Sequence, residues 1–135
     1  MQNPLRVTAR ILTGTTYVVL GYAAFRDPGK RVATAASTLA TLRKAVPLPD
    51  DDALLVRANA AVQVGAGALM VTGALQRPAA AVLVGSLVPT TFAGHDFWNV
   101  EDPAARTAQR TQFLKNLTMI GGLLFAVLDK PRSRA

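Results

Sequence analysis

Two uncharged apolar runs, Ala58 to Leu75 and Pro78 to Gly94, stand only two residues apart, joined by Gln76-Arg77. At ~1.5 Å rise per residue, a helix over the first reaches about 27 Å and one over the second about 26 Å. Both approach the ~30 Å hydrocarbon thickness of a bilayer once flanking side chains reach for the head groups. So short a connection makes the two an antiparallel hairpin with Gln76-Arg77-Pro78 as its turn, Pro78 being tolerated at a helix start. The competing architecture for such runs is a soluble bundle of buried apolar helices.

Two further segments extend the pattern. The spans expected from the whole sequence are Val7 to Phe25, Arg57 to Leu75, Pro78 to Gly94 and Phe113 to Leu128, and none contains a carboxylate. Arg10 interrupts the first and Lys115 the last, but each lies near a span end, where a long side chain can reach the head groups. The basic start at Arg6 and Arg10 and the sequence Gly21-Tyr22-Ala23 also resemble a cleaved leader, against which Tyr17 and Tyr22 interrupt the apolar region. With the first span retained, the expectation is an all-α fold: a four-helix transmembrane bundle forming one domain over residues 1–135, both termini on one side. Small residues for close helix contact stand at Ala61/Gly65, Ala81/Gly85, Gly67, Gly73 and Gly121-Gly122. Pro89, inside the third span, should kink it or free a nearby carbonyl.

The long first connection carries Val32, Ala35, Ala36, Leu39, Leu42 and Val46 at helical spacing, with Lys30, Arg31, Thr34, Thr38, Thr41 and Lys44 on the other side. This predicts a short amphipathic helix stopped by Pro47 and Pro49 and followed by the acidic turn Asp50-Asp51-Asp52. Two placements fit it: lying in the membrane interface, or capping the bundle.

Composition narrows the chemistry. The chain has no cysteine, which excludes disulfides, thiolate nucleophiles and cysteine-ligated clusters. A formal charge of +7 would suit nucleic acid, but the cations gather at the ends of apolar runs with no aromatic-interleaved stripe, the arrangement that meets lipid head groups. Arg6, Arg10, Arg77, Lys130, Arg132 and Arg134 mark one side, and the other carries more cations on longer, carboxylate-containing connections. The placement adopted is the bacterial plasma membrane with both termini cytoplasmic.

Whatever the orientation, span order brings the C-terminal ends of spans one and three to the same surface as the N-terminal ends of spans two and four. Asn59 and Gln63, four apart on one helical face, meet His95 and Asn116 there. Amides facing lipid are costly, so these four either bond one another and stitch the bundle or bind a carbonyl-bearing head group such as a quinone, with Phe92, Phe97 or Trp98 as an apolar wall. Arg57, Asp96 and Lys115 are the charged groups placed to dock a partner or an anionic group. His95 is the chain's single histidine. Without cysteine, and with Asp96 about 100° away on a helix, it makes neither a metal site nor an automatically coupled proton relay, and an interfacial anchor beside Trp98 is the simpler role.

The order of these features, with Gly21 ending the first span, Pro47-Leu48-Pro49 before the second, VQVGAGALMVTGALQRPAA, FAGHDFW and RTQFLKNLTMIGGLLF, resembles the DoxX family of small bacterial membrane proteins. The resemblance implies a four-helix integral membrane protein associated with redox systems, some relatives being linked to thiosulfate:quinone oxidoreductases or to complexes that counter oxidative stress. Relatives often carry a glutamate where this chain has Gln63, an amide that cannot exchange a proton near neutral pH.

Function is therefore expected to be that of an accessory or anchoring subunit of a membrane redox system, quinone-linked or protective against oxidants, without independent catalysis. The alternative is a membrane scaffold with no ligand site. A small transporter is less favoured, since no polar lining runs through both halves of the bundle and no inverted repeat is visible. The partner classes this admits are the lipid bilayer, a redox enzyme and a second copy of the chain.

Overall fold

The structure, a computed structural model, describes residues 3–129. Lys130, Arg132 and Arg134, used above to weigh orientation, lie outside the described residues. The described residues form five α-helices: α1 (Pro4–Arg26), α2 (Gly29–Arg43), α3 (Asp52–Thr72), α4 (Gln76–Gly94) and α5 (Pro103–Leu128), with a 3-10 turn at Phe97–Asn99 before the last.

Local sequence sets the helix starts. Asn3 accepts a hydrogen bond from the Leu5 N–H with Pro4 in the first turn, Asp51 accepts from Leu54, and Asp102 accepts from Ala105 with Pro103 following it. Each side chain satisfies an amide that the helix leaves without a partner. These caps place α3 and α5 well ahead of the expected Arg57 and Phe113, because uncharged residues mark only the apolar middle of a helix whose polar first turns continue beyond it. Arg43 holds the start of α3 through a charged hydrogen bond to Asp52 at 2.5 Å and a second bond to the Pro49 carbonyl at 2.6 Å.

The hairpin turn also shifts. Gly73 ends α3 in the left-handed region (φ 79°), Leu75 follows in the same region (φ 52°), and Gln76-Arg77-Pro78 is the first turn of α4 rather than the connection. α4 runs unbroken through Pro89. There the Thr90 hydroxyl donates to the Ser86 and Leu87 carbonyls and the Thr91 hydroxyl to Leu87.

α1 packs most extensively on α3, α4 packs on α5 and α3, and α2 lies against α3 and α4. The α1–α3 contact is set by Gly67, one of the small residues expected to pack, lying against Gly14, which was not anticipated; Gly21, expected to end a span, is instead buried inside α1 against Ala60. The small pairs expected to pack the bundle point elsewhere. A Cβ added at Gly65, Gly85, Gly121 or Gly122 would meet nothing within 4 Å. The phase of α3 is fixed instead by Ala60, Gly67 and Met70, which join the buried interior, where Tyr17, Leu83, Leu87 and Leu123 also sit. On α2, Val32, Ala35, Ala36 and Leu39 are half-buried together with Thr38, while Lys30, Arg31 and Thr34 are exposed, so its apolar side is covered over the first three turns; Leu42 and, past the helix end, Val46 are exposed although the expected apolar side included both.

Two of the helices, α3 and α5, are long and apolar enough to cross a membrane, with mean hydropathy of 1.5 and 1.3 over their most apolar stretches. α1 is charged at both ends, and α4 combines Gln76 and Arg77 with Ser86, Thr90 and Thr91.

Candidate functional site

α4 is the hub of the polar groups singled out above. Its Ser86 hydroxyl, only 7% exposed, donates to Asn59 Oδ1 at 2.8 Å and accepts from Gln63 Nε2 at 3.0 Å. Asn59 and Gln63 are one turn apart on α3 and converge on that one oxygen. One and a half turns further on, Thr91 is fully buried and accepts from Asn116 Nδ2 of α5 at 3.1 Å while donating to the Leu87 carbonyl at 2.7 Å. At the end of α4, His95 Nδ1 lies 2.7 Å from Gln109 Oε1 of α5. A carbonyl oxygen only accepts, so with the amide in this orientation the Nδ1–H donates this bond.

Asn59, Gln63, His95 and Asn116 thus occupy three levels of the bundle, each bonded to a neighbouring helix, rather than the rim of one cleft. Ser86 and His95 are separated by about 13 Å along α4 at ~1.5 Å per residue. Asp96 turns away from His95: its carboxylate accepts from Asn99 Nδ2 at 3.1 Å and closes the 3-10 turn. Arg57 and Lys115 are exposed. Around His95, Phe92, Phe97, Trp98 and Phe113 form a group of four rings with centroids 5.2 to 6.2 Å apart, mostly edge to face. Phe92 and Trp98 are about half exposed (51% and 49%), so this group has an outer face.

Ser86 and Gln109 were not anticipated. Ser86 carried a usable signal, since a hydroxyl in the middle of an apolar run is costly unless paired. Gln109 carried none, because it lies ahead of the expected fourth span.

The opposite end is more ordered than its few polar residues indicated. Arg6 of α1 makes a bidentate ion pair with Asp129 after α5, at 2.6 and 2.9 Å, and Arg77 Nε donates to the Val127 carbonyl at 2.7 Å. The Arg10 guanidinium packs directly over Gly73, the left-handed residue that ends α3. Among the described residues no group of three or more His, Asp or Glu is arranged to hold a metal.

The family model for DoxX matches residues 5–96, from the first turn of α1 to just past α4. The chain belongs to the DoxX family. Neither the curated proteins nor the solved structures contain a match. The matched part of this DoxX membrane protein holds Asn59, Gln63, Ser86, Thr91 and His95. Gln109 and Asn116 are supplied by α5, which lies beyond the match yet contributes Leu123 to the common core.

Proposed function

We propose that this DoxX protein is a four-helix integral membrane protein that anchors or accompanies a membrane redox enzyme and has no catalysis of its own. The observation that carries the reading is the distribution of polarity. Leu12, Leu20, Val62, Leu69, Val82 and Phe125 are exposed, while Ser86 and Thr91 are buried and hydrogen-bonded inside. An outer surface so apolar suits lipid and not water, and in lipid the interior is where polar groups find partners. The redox association follows from what the family resemblance implies. α1, α3, α4 and α5 would cross the plasma membrane with both termini cytoplasmic, and α2 would lie at the opposite face, with Arg57, Asp96 and Lys115 available there for partner docking.

Because Asn59, Gln63 and Asn116 bond Ser86 and Thr91, this reading gives them a stitching role. Gentle solubilisation from native membranes, followed by copurification and oxidant challenge of a deletion strain, tests it. Recovery with a redox enzyme and heightened oxidant sensitivity support it. Recovery alone with unchanged resistance points to the scaffold without a redox role.

A second reading places a quinone ring at His95, favoured by the half-exposed aromatic group of Phe92, Phe97, Trp98 and Phe113 beside an imidazole nitrogen. Titration with a quinone analogue checks it, with quenching of the single tryptophan, Trp98, as the signal. Unchanged fluorescence and no measurable binding would rule it out.

A further inference from the structure

α1 packs on α3 and α5 packs on α4, and at the end that carries Asp129 the bidentate Arg6–Asp129 pair ties α1 to α5. Beside that tie a cavity of about 500 Å³ lies between the two helices. Its walls are small, Ala9 and Thr13 of α1 against Gly122 and Ala126 of α5, and its inner side is Met70 and Leu123, both nearly fully buried. A Cβ added at Gly122 would meet nothing within 4 Å, so no side chain of α1 fills the space from across the seam. Phe125 and Leu128, on the outer side, are 78% and 71% exposed, so the cavity opens sideways, toward hydrocarbon in a bilayer.

We propose that this seam holds one acyl chain of a membrane lipid, which enters sideways between α1 and α5 and lies along Thr13, Met70, Gly122 and Ala126. Size selects the occupant. The lining runs from Arg6 to Thr13 on α1 and from Gly122 to Asp129 on α5, about 10 Å or two helical turns at ~1.5 Å per residue. At about 10–12 Å across, a helix fills about 400–600 Å³ per turn, so two turns of a partner helix need about twice the space present. A single hydrocarbon chain is far thinner and bends to follow the seam. An empty seam forfeits the dispersion contacts that its lining can make, and a chain supplied by the surrounding bilayer restores them. At the water-side end Arg6 and Asp129 meet each other's charge, and the Gln76 amide of α4 is placed to donate to the ester carbonyl where an acyl chain joins its head group. The proposal rests on the membrane-embedded reading above and adds a ligand to it.

The test uses the full chain in phosphatidylcholine bilayers doped with phosphatidylcholine that carries a photoreactive diazirine midway along one acyl chain. After irradiation, mass spectrometry of peptides locates the lipid adducts. Thr13, Met70 and Ala126 should be labelled, although Met70 is only 2% exposed, together with the outward-facing Leu69 and Val82. Gly122→Leu fills the seam where space stands open, and it should abolish the seam adducts while Leu69 and Val82 stay labelled. Ala9→Leu fills it from the opposite wall and should do the same, whereas Gly85→Leu, at an equally open glycine away from the cavity, should leave the seam adducts unchanged. Labelled Leu69 and Val82 with a bare seam, or seam adducts that persist in both filling variants or vanish in Gly85→Leu, would overturn the site. A bare seam in a chain that cross-links as a dimer would give the place to a second copy. Failure of the underlying reading looks different: Leu69 and Val82 would then carry no adducts either, which removes the membrane-embedded bundle itself.

Discussion

Gly14 of α1 and Gly67 of α3 meet backbone to backbone, so that a Cβ on Gly14 would lie 2.5 Å from the Gly67 carbonyl oxygen and one on Gly67 would lie 2.8 Å from that of Gly14. Neither helix can take a methyl group there without moving its partner. Gly14→Ala or Gly67→Ala should therefore destabilise the bundle by about 1–3 kcal/mol, the usual cost of overpacking. Gly65→Ala, with open space around it, should be neutral or gain up to about 1 kcal/mol from helix propensity. Unfolding midpoints in a fixed detergent compare the three, and equal effects at Gly65 and Gly67 would contradict the packing described.

Ser86 is the one oxygen on which both Asn59 and Gln63 depend. Ser86→Ala leaves two interior amides without that partner, and the expected loss is about 1–2 kcal/mol, toward the upper end for interhelical bonds in membranes. If the same unfolding measurement finds Ser86→Ala indistinguishable from the parent, the amides find other partners and the stitching role falls.

The architecture was legible where the physics is local. Uncharged length located the middles of four helices, and Pro47 and Pro49 bounded the amphipathic one. What remained hidden depends on rotation about the helix axes. Ala61/Gly65 and Gly14/Gly67 look alike as strings of small residues, and only the tertiary fit of Tyr17, Met70 and Leu123 decides which pair turns inward. For the same reason Asn59, Gln63, His95 and Asn116 could be assigned to one end of the bundle but not to three separate levels, since their bonding depends on Ser86, Thr91 and Gln109. The boundaries moved because Asp51 and Asp102 cap helices whose first turns are polar.

Tyr17 is 2% exposed, and its hydroxyl has no hydrogen-bond partner among the described residues. The ring contributes packing that the hydroxyl does not. Tyr17→Phe is expected to be neutral or to stabilise by up to about 1 kcal/mol, as removal of an unpaired buried polar group does. Tyr17→Ala should cost about 3–5 kcal/mol, as for other large aromatic truncations. Chemical denaturation of the two variants checks the ordering, and a marked loss in Tyr17→Phe would reveal that the hydroxyl is bonded.

In the α3–α4 turn, Leu75 adopts a left-handed conformation at φ 52° with its side chain 67% exposed. Leu75→Gly should stabilise the hairpin by about 1 kcal/mol by relieving a strain of ~1–2 kcal/mol, offset in part by the flexibility glycine adds to the unfolded chain. Gly73→Ala should do the reverse, since φ is 79° and the Arg10 guanidinium occupies the place of its Cβ. Thermal unfolding read by helical circular dichroism should place the two variants on opposite sides of the parent.

Whether all four long helices cross the bilayer, or only α3 and α5, is decided by where the connections emerge. The chain has no cysteine, so single cysteines introduced as Asp50→Cys, Ala74→Cys and Glu101→Cys can be probed in intact cells with a membrane-impermeant maleimide. With four crossings, Asp50→Cys and Glu101→Cys label alike and Ala74→Cys behaves oppositely. Glu101→Cys labelling together with Ala74→Cys, and opposite to Asp50→Cys, would mean that α4 does not cross and would contradict the four-helix membrane bundle.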